Sequence, residues 1–144
     1  MKLIDWESDI TGFEKQIYLN WPASKFAKTV YFSKGALIYG VVLPMDEKVI
    51  LKDISDYLQL TKSKAKSMAI SNVLPHSQMR HSAGPFISKK DIGLVYKILF
   101  MPMQELEKVD FSFPGRMDIS LQINYVDAYH LLKEKYGDMI VKVD

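Results

Sequence analysis

Two amphipathic stretches meet at Leu60-Thr61, and this junction constrains the chain more than anything else in its 144 residues. Leu51, Ile54 and Leu58 fall at i, i+3 and i+7, a spacing that puts them on one helical face. Thr61 has the hydroxyl of a helix N-cap, and the helix it opens is predicted to run to about Asn72. Ala65 and Met68 would face inward, and Pro75 would close the unit. Two short helices on either side of a tight junction predict a helical hairpin at the centre of the chain.

The same region gathers the positive charge. Six basic residues and no Asp or Glu lie between Thr61 and Lys90, although the whole chain is nearly balanced, with 19 Lys+Arg against 17 Asp+Glu. Residues 48–97 hold nine basic and three acidic side chains, a net of +6, flanked by −1 over residues 1–47 and −3 over residues 98–144. A local cationic surface attracts phosphate whatever the overall pI.

Lys52-Asp53-Ile54-Ser55-Asp56-Tyr57-Leu58-Gln59-Leu60-Thr61-Lys62-Ser63-Lys64-Ala65 resembles the helix-turn-helix of small bacterial and phage regulators, including winged-helix activators and excisionase-type proteins. The stretch from Val73 through Ile92 is similar to the wing and following helix of those proteins. The resemblance covers residues 33–97. It implies a DNA-binding transcriptional regulator in which Lys62, Ser63, Lys64, Lys66 and Ser67 form the outer face of the recognition helix. Arg80 and His81 would lie on the wing, the loop from His76 to Pro85, and Lys89 and Lys90 would add phosphate contacts at a helix start. Gln59 stands where that family usually has Gly, and the second helix lacks Arg, Asn or Gln at its start. Phosphate contact on double-stranded DNA is therefore expected ahead of base reading.

The flanks predict a mixed architecture. Gln16 to Trp21 reads as a short strand stopped by Pro22. Lys28 to Phe32 reads as a second strand or the approach to a helix. Ser33 would cap a helix running to Leu43, with Leu37 and Val41 inside and Pro44 at its end. Phe86-Ile87 reads as a brief strand. Ser88 would cap a helix from Lys89 to about Phe100, with Ile92, Val95, Tyr96 and Leu99 as its buried stripe. Met117 to Tyr125 alternates, with Ile119, Leu121 and Ile123 on one side, as a half-buried strand does. Asp127 to Tyr136 predicts a helix closed by Gly137, and Met139 to Val143 a final strand. The expected fold is thus α+β, one domain over residues 1–144. A central winged helix-turn-helix unit at 33–97 would sit between short strands at both ends, and residues 110–144 would be an α+β extension for homodimerisation or partner binding.

Chemistry beyond binding finds little footing. Cys is absent, which removes disulfides and thiolates. Asp127 and His130 share a helical face, a metal half-site without further ligands. No catalytic residue, metal or cofactor is expected, and the chain is read as non-enzymatic. The apolar runs Ala36–Val42 and Ile98–Met103 are too short to span a bilayer. With no signal-peptide core, a cytoplasmic, membrane-free protein is expected. A second reading is a protein-binding module (a phage-type inhibitor, immunity protein or adaptor) that sets its basic patch against an acidic partner.

Overall fold

The computed structural model describes residues 2–5, 12–34, 36–49, 54, 57, 69–70, 84–87, 89–102, 110–116 and 119–143. Among them the chain order is β1 (Lys2–Asp5), α1 (Gly12–Leu19), a 3₁₀ turn at Ala23–Lys25, β2 (Ala27–Lys34), β3 (Leu37–Pro44), β4 (Ala69–Ile70), α2 (Lys89–Ile92), β5 (Val95–Phe100), β6 (Asp110–Arg116), β7 (Ile119–Asn124), α3 (Tyr125–Tyr136), a second 3₁₀ turn at Gly137–Met139, and β8 (Ile140–Lys142). The eight described strands form two sheets. One has three strands in the order β1-β7-β6 and the other has five in the order β4-β2-β3-β5-β8.

The small sheet is antiparallel throughout. In the large sheet β2 pairs antiparallel with β3 and β4, whereas β3-β5 and β5-β8 are parallel. Parallel strands in the middle of a sheet are buried on both faces and read as continuous apolar runs. That is the burial of β3, where every residue from Ile38 to Pro44 is inside. One face of the large sheet packs Tyr31, Val42, Ile98 and Phe100 against Phe113, Leu121 and Ile123 of the small sheet and Tyr125, Ala128 and Leu132 of α3. The opposite face packs Phe32, Tyr39, Val41, Leu99 and Val143 against Ile54, with Val49 and Tyr57 at the margin.

This sheet-rich architecture overturns the winged helix-turn-helix expectation. The predicted helix from Ser33 to Leu43 is instead the end of β2 and most of β3, antiparallel strands in register from Ala27↔Pro44 to Lys34↔Leu37. Its Leu-Ile-Tyr-Gly-Val-Val-Leu run fills helical i, i+3, i+4 positions only because it is apolar throughout, and its β-branched and aromatic content favours the strand. The same error affects the predicted helix from Lys89 to Phe100. A single turn, α2, stops at Ile92, and Val95–Phe100 is the central parallel strand β5. Ala69 and Ile70, assigned to the recognition helix, pair with Ser33 and Phe32 as β4.

Smaller corrections follow the same logic. Gln16 to Leu19 belongs to a helix, α1, which ends at Asn20 in the left-handed region (φ 54°). Asn tolerates that conformation and often ends helices. Phe86-Ile87 is not a strand. The C-terminal expectations fared better. β7 and β8 lie inside the two predicted strands, and α3 is capped by the Asn124 side chain accepting from the Val126 N–H at 3.0 Å. Gly137 closes α3 at φ 63°, its N–H donating to the Lys133 carbonyl.

Candidate functional site

Strand alternation sends Lys28, Val30 and Phe32 to one side of β2 and Ala27, Thr29 and Tyr31 to the other. Lys28 stands opposite Leu43, Val30 opposite Val41 and Phe32 opposite Tyr39. A half-buried lysine therefore shares a face with the apolar floor formed by Phe32, Tyr39, Val41 and Leu99. Other half-buried lysines of the described chain have a partner. The Lys25 Nζ lies 4.1 Å from the Trp21 ring centroid. Lys97 donates to the Asp138 carbonyl at 2.8 Å. Lys133 donates to the Ile140 carbonyl at 3.0 Å and lies 3.8 Å from the Asp138 carboxylate. Among the described residues none pairs with the Lys28 ammonium. A cation half withdrawn from water without a partner costs free energy.

The opposite side of β2 holds a buried polar latch. The Tyr31 hydroxyl donates to the Gly84 carbonyl at 2.7 Å. Burial, and to a lesser degree the Asp91 carboxylate, push the Tyr31 hydroxyl above its ordinary value of 10.0, so it stays protonated and remains a donor. Asp91 is fully buried on α2, and its carbonyl accepts from the Leu94 N–H at 2.9 Å. Gly40 lets the Tyr31 ring lie against β3, since a Cβ there would come within 2.8 Å of the ring. Beside them, the buried Thr29 hydroxyl has no hydrogen-bond partner among the described residues. The latch fixes Gly84-Pro85, both buried, against the large sheet. The last two residues of the expected wing are therefore tied into the core, and its residues 76–83 lie outside the described residues.

Lys62, Ser63, Lys64, Lys66, Ser67, Arg80 and His81 lie outside the described residues. Lys89 opens α2, and Lys90 follows it as an exposed side chain. Asp127 and His130 are both exposed on α3, and the His130 ring packs edge-on to Tyr129 at 5.3 Å. Among the described residues no three His, Cys, Asp or Glu side chains gather as a metal site. No helix among them is long and apolar enough to cross a membrane. Sequence reasoning put Lys28 at the start of a possible strand and assigned it no role. The available signal was a lysine in alternation with Val30 and Phe32, which is a charge on an otherwise apolar strand face.

No family model matches the chain, and no curated protein matches its sequence. Solved structures do share its fold. The hypothetical protein APE2540 superposes with a TM-score of 0.68 at 16% identity, over 99% of this chain and 89% of that one. A structure from work on computational grafting of linear epitopes onto scaffold proteins gives 0.65 at 7% identity, over 99% and 85%. A protein described as a candidate trans-editing enzyme for prolyl tRNA synthetase gives 0.64 at 8% identity, again over 99% and 85%.

Proposed function

We propose that this chain is an editing deacylase, which hydrolyses the ester joining an amino acid to the terminal ribose of a tRNA. The observation that carries the reading is the match of nearly the whole chain to the fold of the candidate trans-editing enzyme. Fold alone does not specify chemistry, so the site must supply the rest. The half-buried Lys28, without a partner among the described residues, and the net charge of +6 over residues 48–97 suit a substrate that joins an ester carbonyl to a polyanion. The reading departs from the expectation of a non-catalytic regulator, whose central helical unit is contradicted among the described residues by β3, β4 and β5.

In the proposed reaction, water attacks the ester carbonyl carbon and the carbonyl oxygen takes up negative charge. Lys28 stabilises that oxyanion on the dry side of the sheet, where electrostatic contacts count for more than in water. The carbon–oxygen bond to the ribose then breaks. The ribose oxygen leaves with a proton derived from the attacking water, giving a free amino acid and an uncharged tRNA. The basic stretch holds the phosphates, so the apparent affinity for tRNA falls as salt rises.

The test is a panel of tRNAs, each charged with a radiolabelled amino acid and incubated with the protein. At least one member should release its label faster than in buffer, and Lys28→Met should abolish the difference. Release at the buffer rate across the whole panel rejects the proposal.

A further inference from the structure

The parallel pairing of β3 with β5 is interrupted once. Ile38 pairs with Val95 and the next residue, Tyr39, pairs with Lys97, which leaves Tyr96 as the extra residue of a β-bulge. Bulges re-aim side chains and recur beside functional sites. Here the bulge turns out a tyrosine that is 51% exposed although it sits in β5, an interior strand of the sheet. The displaced ring is also braced. Its centroid lies 5.6 Å from that of the buried Tyr39 in an edge-to-face contact at 78°. The two phenols are close enough that Tyr96, after burial, helps to raise the hydroxyl of Tyr39. The Lys97 ammonium lies 5.6 Å from the Tyr96 centroid and is held there by the Asp138 carbonyl.

We propose that Tyr96 is a stacking platform for an unpaired base of the RNA substrate, with Lys97 beside it for the adjoining phosphate. The inference rests on the deacylase reading for the identity of the RNA. Proteins that hold single strands combine aromatic faces with cationic tracks, and stacking tolerates any base. Among the described residues of this face, Tyr96 offers both an exposed ring and a neighbouring fixed cation. Its placement also fits a substrate that begins at Lys28. Lys28 shares the face of β2 and β3 that carries Phe32 and Tyr39, and the Tyr96 ring packs against Tyr39, so both belong to one face. Strand rise and spacing put them roughly 16 Å apart. That is a span of a few nucleotides, and a strand joining the two positions would pass round the cover formed by Ile54 on this face.

The experiment measures binding of a short, uncharged single-stranded RNA with a tRNA 3′ sequence to wild type, Tyr96→Phe and Tyr96→Ala. The same RNA is also made with abasic residues. Tyr96→Phe should bind as wild type does, and Tyr96→Ala about tenfold more weakly. The abasic RNA should bind wild type and Tyr96→Ala alike. With aminoacyl-tRNA, Tyr96→Ala should raise KM and leave kcat unchanged, and hydrolysis of a small aminoacyl ester lacking RNA should not change. Equal binding of the intact RNA by wild type and Tyr96→Ala, or no binding by wild type, overturns the platform. Because the RNA is uncharged, this outcome is independent of whether Lys28 supports hydrolysis. Base-dependent binding in a protein that deacylates nothing would keep the platform and reject the deacylase.

Discussion

The hydroxyl of Tyr31 donates to the carbonyl of Gly84 across 53 residues of chain, joining the middle of β2 to a buried Gly-Pro turn. Removing only the hydroxyl, as in Tyr31→Phe, keeps the ring over Gly40 and deletes the donor. The expected loss is about 1 to 2 kcal/mol, the cost of a buried hydrogen bond. It should appear as a lower midpoint in urea at pH 7 with an unchanged slope. A midpoint equal to that of wild type would mean that the turn is held by other contacts.

The same hydroxyl gives the fold an alkaline limit. Its pKa is raised above 10.0 in the folded protein, so the folded state keeps a proton that the unfolded chain releases above pH 10. The stability tied to this proton is fully present below pH 10 and declines as pH rises beyond it. Urea midpoints taken upward from pH 9 should fall in wild type and fall less steeply in Tyr31→Phe. Parallel curves for the two proteins would assign the alkaline limit to other groups.

Gly40 is a matter of space. An added Cβ would sit 2.8 Å from Tyr31 Cε1 and 3.2 Å from Thr29 Cγ2. The ring cannot easily give way because its hydroxyl is anchored. Gly40→Ala should cost roughly 1 to 3 kcal/mol, as overpacking does. In the background of Tyr31→Leu, which takes the ring away, the same change should cost clearly less. Additive losses in that double-mutant cycle would show that the clash lies elsewhere.

Lys28 makes an opposite demand on stability. Lys28→Met removes a half-buried charge without a described partner and keeps the aliphatic bulk, so the denaturation midpoint should hold or rise. Deacylation should fall by about a hundredfold or more, as it does when an oxyanion donor is lost. A gain in stability with loss of activity is the pattern of a residue kept for function. A marked fall in the midpoint would make Lys28 a structural residue.

Tyr125 seals the far end of the parallel strands. Its hydroxyl lies 2.8 Å from the Met101 carbonyl and 3.3 Å from the Val42 carbonyl, so one proton serves both strand ends. The ring packs edge-on to Phe100 and is stacked on Phe113. Tyr125→Phe should cost about 1 kcal/mol in thermal or urea unfolding. It should leave RNA binding at Tyr96 unchanged, because Tyr125 lies on the other face.

How much of this was legible depends on the range of the signals. The last third was read well because its cues are local. Ile119 to Asn124 alternates, Asn124 and Gly137 bracket α3, and both caps act within a few residues. The polar side of that strand was misjudged all the same, since Ser120 and Gln122 are buried. Leu37–Leu43 and Val95–Phe100 were misread because a run that is apolar at every position satisfies both periods. Only the neighbouring strands, which are distant in sequence, decide between them. The basic stretch was plain in the sequence, but the winged helix-turn-helix unit of residues 33–97 built around it needed flanking helices where β3 and β5 stand, and a helix through Ala69-Ile70 where β4 stands. Tyr96 was placed on a buried helical stripe because no local pattern reveals a bulge.

The small sheet has one further consequence. Leu3 pairs with Leu121 and Ile4 with Ser120, so the first strand is bonded to a neighbour almost the whole chain away. As the polypeptide leaves the ribosome, β1 cannot join that sheet before β7 has been made. A ribosome-bound fragment that stops ahead of Ile119 therefore lacks the middle strand of the small sheet.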